Sequence, residues 1–89
     1  MKALVFYELG NVTMEKVREV YPRHKIIVDE FAKNKKIIAI GTFADPTEGS
    51  LGVFTDKASA EKFIKEDPFV TEGVIAKVTI KEWNEVLLK

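Results

Sequence analysis

Val74-Ile75-Ala76-Lys77-Val78-Thr79-Ile80-Lys81 alternates apolar and polar side chains, the two-residue period of a β-strand with one covered face. Val74, Ala76, Val78 and Ile80 are expected inward, and Lys77, Thr79 and Lys81 outward. Working back from this strand, Asp67-Pro68 interrupts a helical segment. Asp56 is a good N-cap for that segment, and Ala60, Phe63 and Ile64 form a buried stripe ending near Glu66. Ser50 to Thr55 reads as another strand, in which Gly52 permits close approach on its face. Asp45-Pro46-Thr47-Glu48-Gly49 is a loop by composition.

The first half repeats the plan. Residues 2–7 carry Ala3, Val5 and Tyr7 on one face and Leu4 and Phe6 on the other, as in a central strand covered on both sides. Gly10 and Asn11 mark a turn, and Thr13 can cap the helical segment after it. Apolar or semi-apolar residues then recur at 14, 17, 20, 21, 24, 27, 28 and 31, with Pro22 in their midst. Proline in a helix interior loses a hydrogen bond and clashes with the preceding turn, but it suits a first helical position. The expected result is a short helical piece over 13–20 and a main helix over 22–33, stopped by Asn34 and Lys35-Lys36. Ile37-Ile38-Ala39-Ile40, closed by Gly41, is a second strand, apolar on both faces. Glu82 to Leu88 ends the chain as a short amphipathic tail carrying Trp83.

The order is β-α-β-β-α-β. Right-handed crossovers and one hairpin turn it into an α+β, ferredoxin-like domain, a four-stranded antiparallel sheet with two helices on one face. Two helices cover one side only, so the second face keeps an apolar patch too large for a monomer to leave wet. A homodimer packing sheet against sheet is therefore expected.

With 89 residues there is room for a single domain, 1–89. The chain is 46% hydrophobic and 31% charged, which suits an ordered core rather than a disordered tail. Fourteen basic residues balance fourteen acidic ones, leaving no global field to hold a nucleic acid. Without cysteine, disulfides, thiolate metal sites and thiol nucleophiles are excluded; one His plus carboxylates is a poor zinc set. No dinucleotide fingerprint or P-loop is present, so no cofactor is expected. The apolar run near Met1 is too short for a signal peptide or a membrane span. Asn11-Val12-Thr13 is then a chance match to a glycosylation acceptor, and the cytoplasm is the expected location.

Asp67-Pro68-Phe69-Val70-Thr71-Glu72-Gly73-Val74, running on through Val78 and Ile80-Lys81, resembles the C-terminal signature of the YCII-related (YciI-like) family. Gly49-Ser50-Leu51-Gly52-Val53-Phe54 resembles that family's glycine-serine approach to its third strand, and the likeness spans essentially the whole chain. The resemblance implies a dimeric α+β barrel of ferredoxin-like subunits and an active-site histidine–aspartate pair, here His24 and Asp67. Two positions depart from the family pattern. Tyr21 stands where an arginine often precedes the histidine by three residues, and Gly41-Thr42 replaces Gly-Pro. If that arginine anchors an anion, this chain uses Arg23 or binds something else.

Histidine is the side chain whose unperturbed pKa lies near neutrality, and His24, the chain's one histidine, falls on the apolar stripe of its helix. Its plainest role is an inward ring satisfied by a backbone carbonyl; a carboxylate partner would instead fix its tautomer and make it a general acid or base. Asp67 before Pro68 would cap a short turn over 68–72, and this duty is compatible with holding a histidine. Ser50 completes a nominal Ser/His/Asp set, but its surroundings lack the G-x-S-x-G elbow, so it reads as a hydrogen-bond donor to a ligand or simply a small strand residue. Tyr7, Phe43, Phe54 and Phe69 would line an apolar pocket or fill the core.

These residues admit three functions: a lyase- or isomerase-type acid–base enzyme using His24 and Asp67, with Ser50, Arg23 and Tyr7 on a small organic substrate; a non-catalytic dimeric metabolite-binding or regulatory module using the same pocket; or a scaffold in which those residues only cap and pack.

Overall fold

Strand β1 (Lys2–Leu9) lies inside the sheet, hydrogen-bonded to β3 (Ser50–Phe54) on one side and β4 (Ile75–Trp83) on the other. β2 (Ile37–Thr42) completes the antiparallel order β2-β3-β1-β4 by pairing with β3. The computed structural model describes residues 1–86. Between the strands lie α1 (Met14–Lys33), α2 (Lys57–Glu66) and the one-turn α3 (Pro68–Thr71), with a 3-10 turn at Pro46–Glu48. This is the ferredoxin-like fold, with α3 added to the expected set as the turn that Asp67 caps.

The two faces of β1 have different fates. Ala3, Val5 and Tyr7 are buried with Phe54 of β3, Phe31 of α1, and Ala60 and Phe63 of α2. Phe63 is the hub, with its ring centroid 5.2 Å from that of Phe31 and 5.0 Å from that of Phe54. On the opposite face, Leu4 lies beside Val53 and Phe6 beside Leu51, all four half-buried. The Lys81 ammonium stands 5.8 Å from the Phe6 ring centroid there, a cation–π contact at the edge of the patch.

The split expected at Pro22 does not occur. One helix runs from Met14 to Lys33 with Pro22 inside it. Proline there removes one donor, and the carbonyl it would have met, that of Arg18, belongs to an exposed residue, as does Pro22 itself; water can take the place of the lost bond. The apolar phase therefore continues unbroken and buries Val20, His24 and Phe31 on one stripe. Thr13 caps the start by accepting from the Lys16 N–H at 3.2 Å. Lys35, at φ +57°, ends the helix as the Lys36 N–H donates back to the Phe31 carbonyl at 2.8 Å.

β4 differs from simple alternation as well. Its register against β1 shifts between Glu8 and Leu9, which pair with Lys77 and Ile75. Ala76 is the extra residue of this bulge and is exposed rather than inward, while Ile75, Val78 and Ile80 pack on the core. The strand also takes in Glu82 and Trp83, which pair with Ala3 and Lys2. Part of the expected tail is thus sheet; Leu87 and Leu88 lie outside the described residues.

Candidate active site

Pairing places Thr42, Ser50 and Tyr7 side by side across β2, β3 and β1. Gly49 makes that row possible. Its φ is +91°, and a Cβ there would lie 1.9 Å from the Tyr7 carbonyl oxygen, so only glycine lets the chain turn into β3 so close to β1. α1 crosses this end of the sheet and presents His24, and the α2–α3 junction presents Asp67.

Asp67 is wholly buried and ends one helix while starting the next. Its N–H donates to the Phe63 carbonyl at 2.8 Å, closing α2. Its Oδ1 accepts the Phe69 N–H at 3.0 Å, capping α3, and faces His24 Nδ1 at 2.7 Å. A carboxylate can only accept, so the Nδ1–H donates and Nε2 is left as the ring's acceptor. Phe69 then stacks on the imidazole, centroids 4.1 Å apart and planes 18° from parallel, while Phe63 meets the ring edge-on at 6.2 Å. One tripeptide, Asp67-Pro68-Phe69, fixes the ring in its plane and against its face.

His24, Asp67, Tyr7, Ser50, Thr42 and Phe69 all line a cavity of about 320 Å³, a size suited to a small organic molecule. Tyr7 Oη and Asp67 Oδ2 are buried and have no hydrogen-bond partner. Burial first, then the Asp67 charge, pushes the Tyr7 phenol well above its ordinary range, so it keeps its proton. Lys25 and Asp29, at the rim, are paired at 2.8 Å. Among the described residues no group of three His, Asp or Glu side chains converges to hold a metal ion. No helix among them is long and apolar enough to cross a membrane.

Of the residues singled out from the sequence, His24, Asp67, Ser50 and Tyr7 share one cavity. Arg23 does not join them. Its guanidinium is exposed and gripped by the Glu72 carboxylate, which Lys16 also approaches at 3.7 Å. The cause is helical phase: Arg23 is about 100° around α1 from His24 and faces the end of α3 instead. Phe54 is core rather than wall. Val17, Tyr21 and Val28 also belong to the wall, although the sequence marks them only by their helical period and, at Tyr21, by its departure from the family's arginine; they lie seven and three before and four after His24, on one stripe. Dividing the helix at Pro22 conceals that continuity.

A ferredoxin-like domain with a histidine–carboxylate pair in a cavity between helix and sheet is the class that the fold and the site define. The chain belongs to the YCII-related domain family, which it matches over residues 1–84. No curated protein is significantly similar in sequence. Among solved structures, 5-chloro-2-hydroxyhydroquinone dehydrochlorinase of Burkholderia phenoliruptrix AC1100, in complex with 2,5-dihydroxybenzoquinone, is similar at a TM-score of 0.74 and 19% identity, covering 97% of this chain and 96% of that one. A hypothetical protein of Arabidopsis thaliana, solved in solution, gives 0.55 and 16%, covering 99% and 89%. At these identities the likeness is one of fold.

Proposed function

We propose that the protein is a small acid–base enzyme in which His24 moves a proton and Asp67 holds the ring for that task, catalysing an elimination or isomerisation on a small hydroxylated or carbonyl-bearing organic molecule. The observation that carries this reading is the 2.7 Å contact from Nδ1 to Oδ1 inside a cavity that His24 lines. In an elimination, Nε2 takes a proton from the substrate carbon. The C–H electron pair becomes the new double bond, and the leaving group departs with its own bonding pair. Asp67 stabilises the imidazolium that forms, and the ring then returns its proton to solvent. The similar fold of a dehydrochlorinase supports the reaction class, as analogy.

Ser50 would orient the substrate through its hydroxyl, and Tyr7, protonated at neutral pH, would serve the site as a neutral hydroxyl. The working unit in this reading is a cytoplasmic homodimer, joined through the face that carries Leu4, Phe6, Leu51 and Val53.

Incubation with 2,5-dihydroxybenzoquinone and related cyclic enones in D2O tests the proposal. Proton exchange or product formation should appear in proton NMR spectra with the native protein and vanish in a folded His24→Asn variant. Binding without exchange, unaffected by that variant, would instead leave a metabolite-binding module.

A further inference from the structure

Tyr7 and Ser50 also line a second cavity. This chamber of about 250 Å³ opens toward the end of the sheet where Leu9 pairs with Ile75, and it shares Tyr7, Val17, Thr42, Ser50, Phe69 and Ile75 with the first. Its remaining wall includes Leu9, Met14 and Val74. Among the described residues none that lines it is charged. Leu9 and Met14 are large apolar side chains left 41% and 58% exposed at this one place, one ending β1 and the other beginning α1.

The two chambers contrast in chemistry. The first holds His24, Asp67 and the Lys25–Asp29 pair. The second has the hydroxyl-bearing Thr42 and Ser50 on the shared side, the Gly49 main chain, and hydrocarbon over most of the rest; the buried Tyr7 hydroxyl has no exposed surface there. Water in such a space gives up hydrogen bonds, and a hydrocarbon group replacing it would lose none. A carboxylate or ammonium placed there would be desolvated with no counter-charge. With six lining residues in common the two chambers adjoin, which puts a substituent on a molecule bound at His24 within reach of the second.

We infer that this second chamber is a specificity pocket for an uncharged hydrocarbon substituent on the molecule whose polar end meets His24. The ligand class is a small hydroxylated or carbonyl compound bearing a short alkyl or aryl group. The identity of the polar end rests on the acid–base reading; the apolar chamber does not.

Phenol, 4-propylphenol and 3-(4-hydroxyphenyl)propanoate, titrated into the 15N-labelled protein, test it. Each buried methylene contributes about 0.8 kcal/mol, so 4-propylphenol should bind about tenfold or more tighter than phenol. It should move the amide signals of Leu9, Met14, Val17 and Ile75, and the propanoate should lose the gain. Met14→Ser, at an exposed site, should pull the propylphenol-to-phenol ratio toward one. Equal affinities, tighter binding of the propanoate, no binding of either phenol, or shifts confined elsewhere would overturn the inference. So would probe-free, concentration-dependent shifts of these four amides, which would mean that a second copy fills the chamber. In His24→Asn the propyl gain should persist. A persisting gain without His24-dependent proton exchange would refute the catalytic reading alone; exchange without the gain would refute the pocket alone.

Discussion

Tyr7 Oη and Asp67 Oδ2 are buried atoms of two residues that line the same cavity, and neither has a hydrogen-bond partner at normal geometry. Leaving a buried polar atom unpartnered costs about 1–3 kcal/mol, so Tyr7→Phe should leave stability unchanged to within about 1 kcal/mol or raise it. Urea denaturation at neutral pH checks this; a loss of about 2 kcal/mol or more would show a phenol–carboxylate bond formed in solution.

The same phenol governs alkaline behaviour. Its folded-state pKa is raised above the ordinary 10.0 by burial first and by the Asp67 charge second. Above that ordinary value the unfolded chain gives up a proton that the folded one keeps, so stability falls as pH rises, by at most about 1.4 kcal/mol per pH unit from this group. Urea midpoints between pH 9 and 11 should decline for the native protein and decline less for Tyr7→Phe.

Asp67 joins two duties that substitution can separate. Asn at 67 can still accept the Phe69 N–H and cap α3, so Asp67→Asn should fold with a loss of about 1 kcal/mol. Its neutral amide no longer enforces the Nδ1–H form, so 15N shifts of the His24 ring should report a changed tautomer, and proton transfer should fall by at least tenfold. Asp67→Ala should cost about 2–4 kcal/mol, because the cap is lost and a buried imidazole N–H is left unpaired. Unchanged ring shifts in Asp67→Asn would count against the orienting role.

Gly49 is expected to tolerate no side chain. Gly49→Ala adds an unfavourable φ to a contact of 1.9 Å with the Tyr7 carbonyl, and should cost at least about 2 kcal/mol. The denaturation midpoint measures the cost. The Tyr7 and Ser50 amide shifts, which should move together, show whether the row of residues under His24 is disturbed.

Leu51 lies mid-patch on the face that the helices leave open, beside Phe6. If that face joins two copies, sedimentation at micromolar concentration should show a dimer, and Leu51→Glu should give a folded monomer. A native monomer would remove the dimer from the proposal.

The order of elements, and the covered face of the last strand from Val78 onward, were legible because that strand alternates apolar and polar side chains, and because Asp56 and Asp67 are strong capping residues. The unbroken α1 was not legible: whether Pro22 breaks a helix depends on whether the Arg18 carbonyl can reach water, a property of the surface rather than of the local sequence. Ala76 turned outward for a similar reason, since a bulge is set by the register of two strands roughly seventy residues apart. In the site, His24 and Asp67 were marked by the family likeness, and helix phase alone could have set Arg23 aside. The second chamber, built from Leu9, Met14 and Val74 at three separate junctions, leaves no continuous trace in the chain.

The dual placement of Asp67 has an evolutionary corollary. Because the residue that joins α2 to α3 also steers the imidazole, any change in length between Phe63 and Phe69 would displace the ring's partner along with the backbone. The Phe43–Glu48 connection bears no such burden. Length changes that keep the imidazole and its partner together are therefore expected in that loop, while the α2–α3 hinge has two masters and should tolerate none.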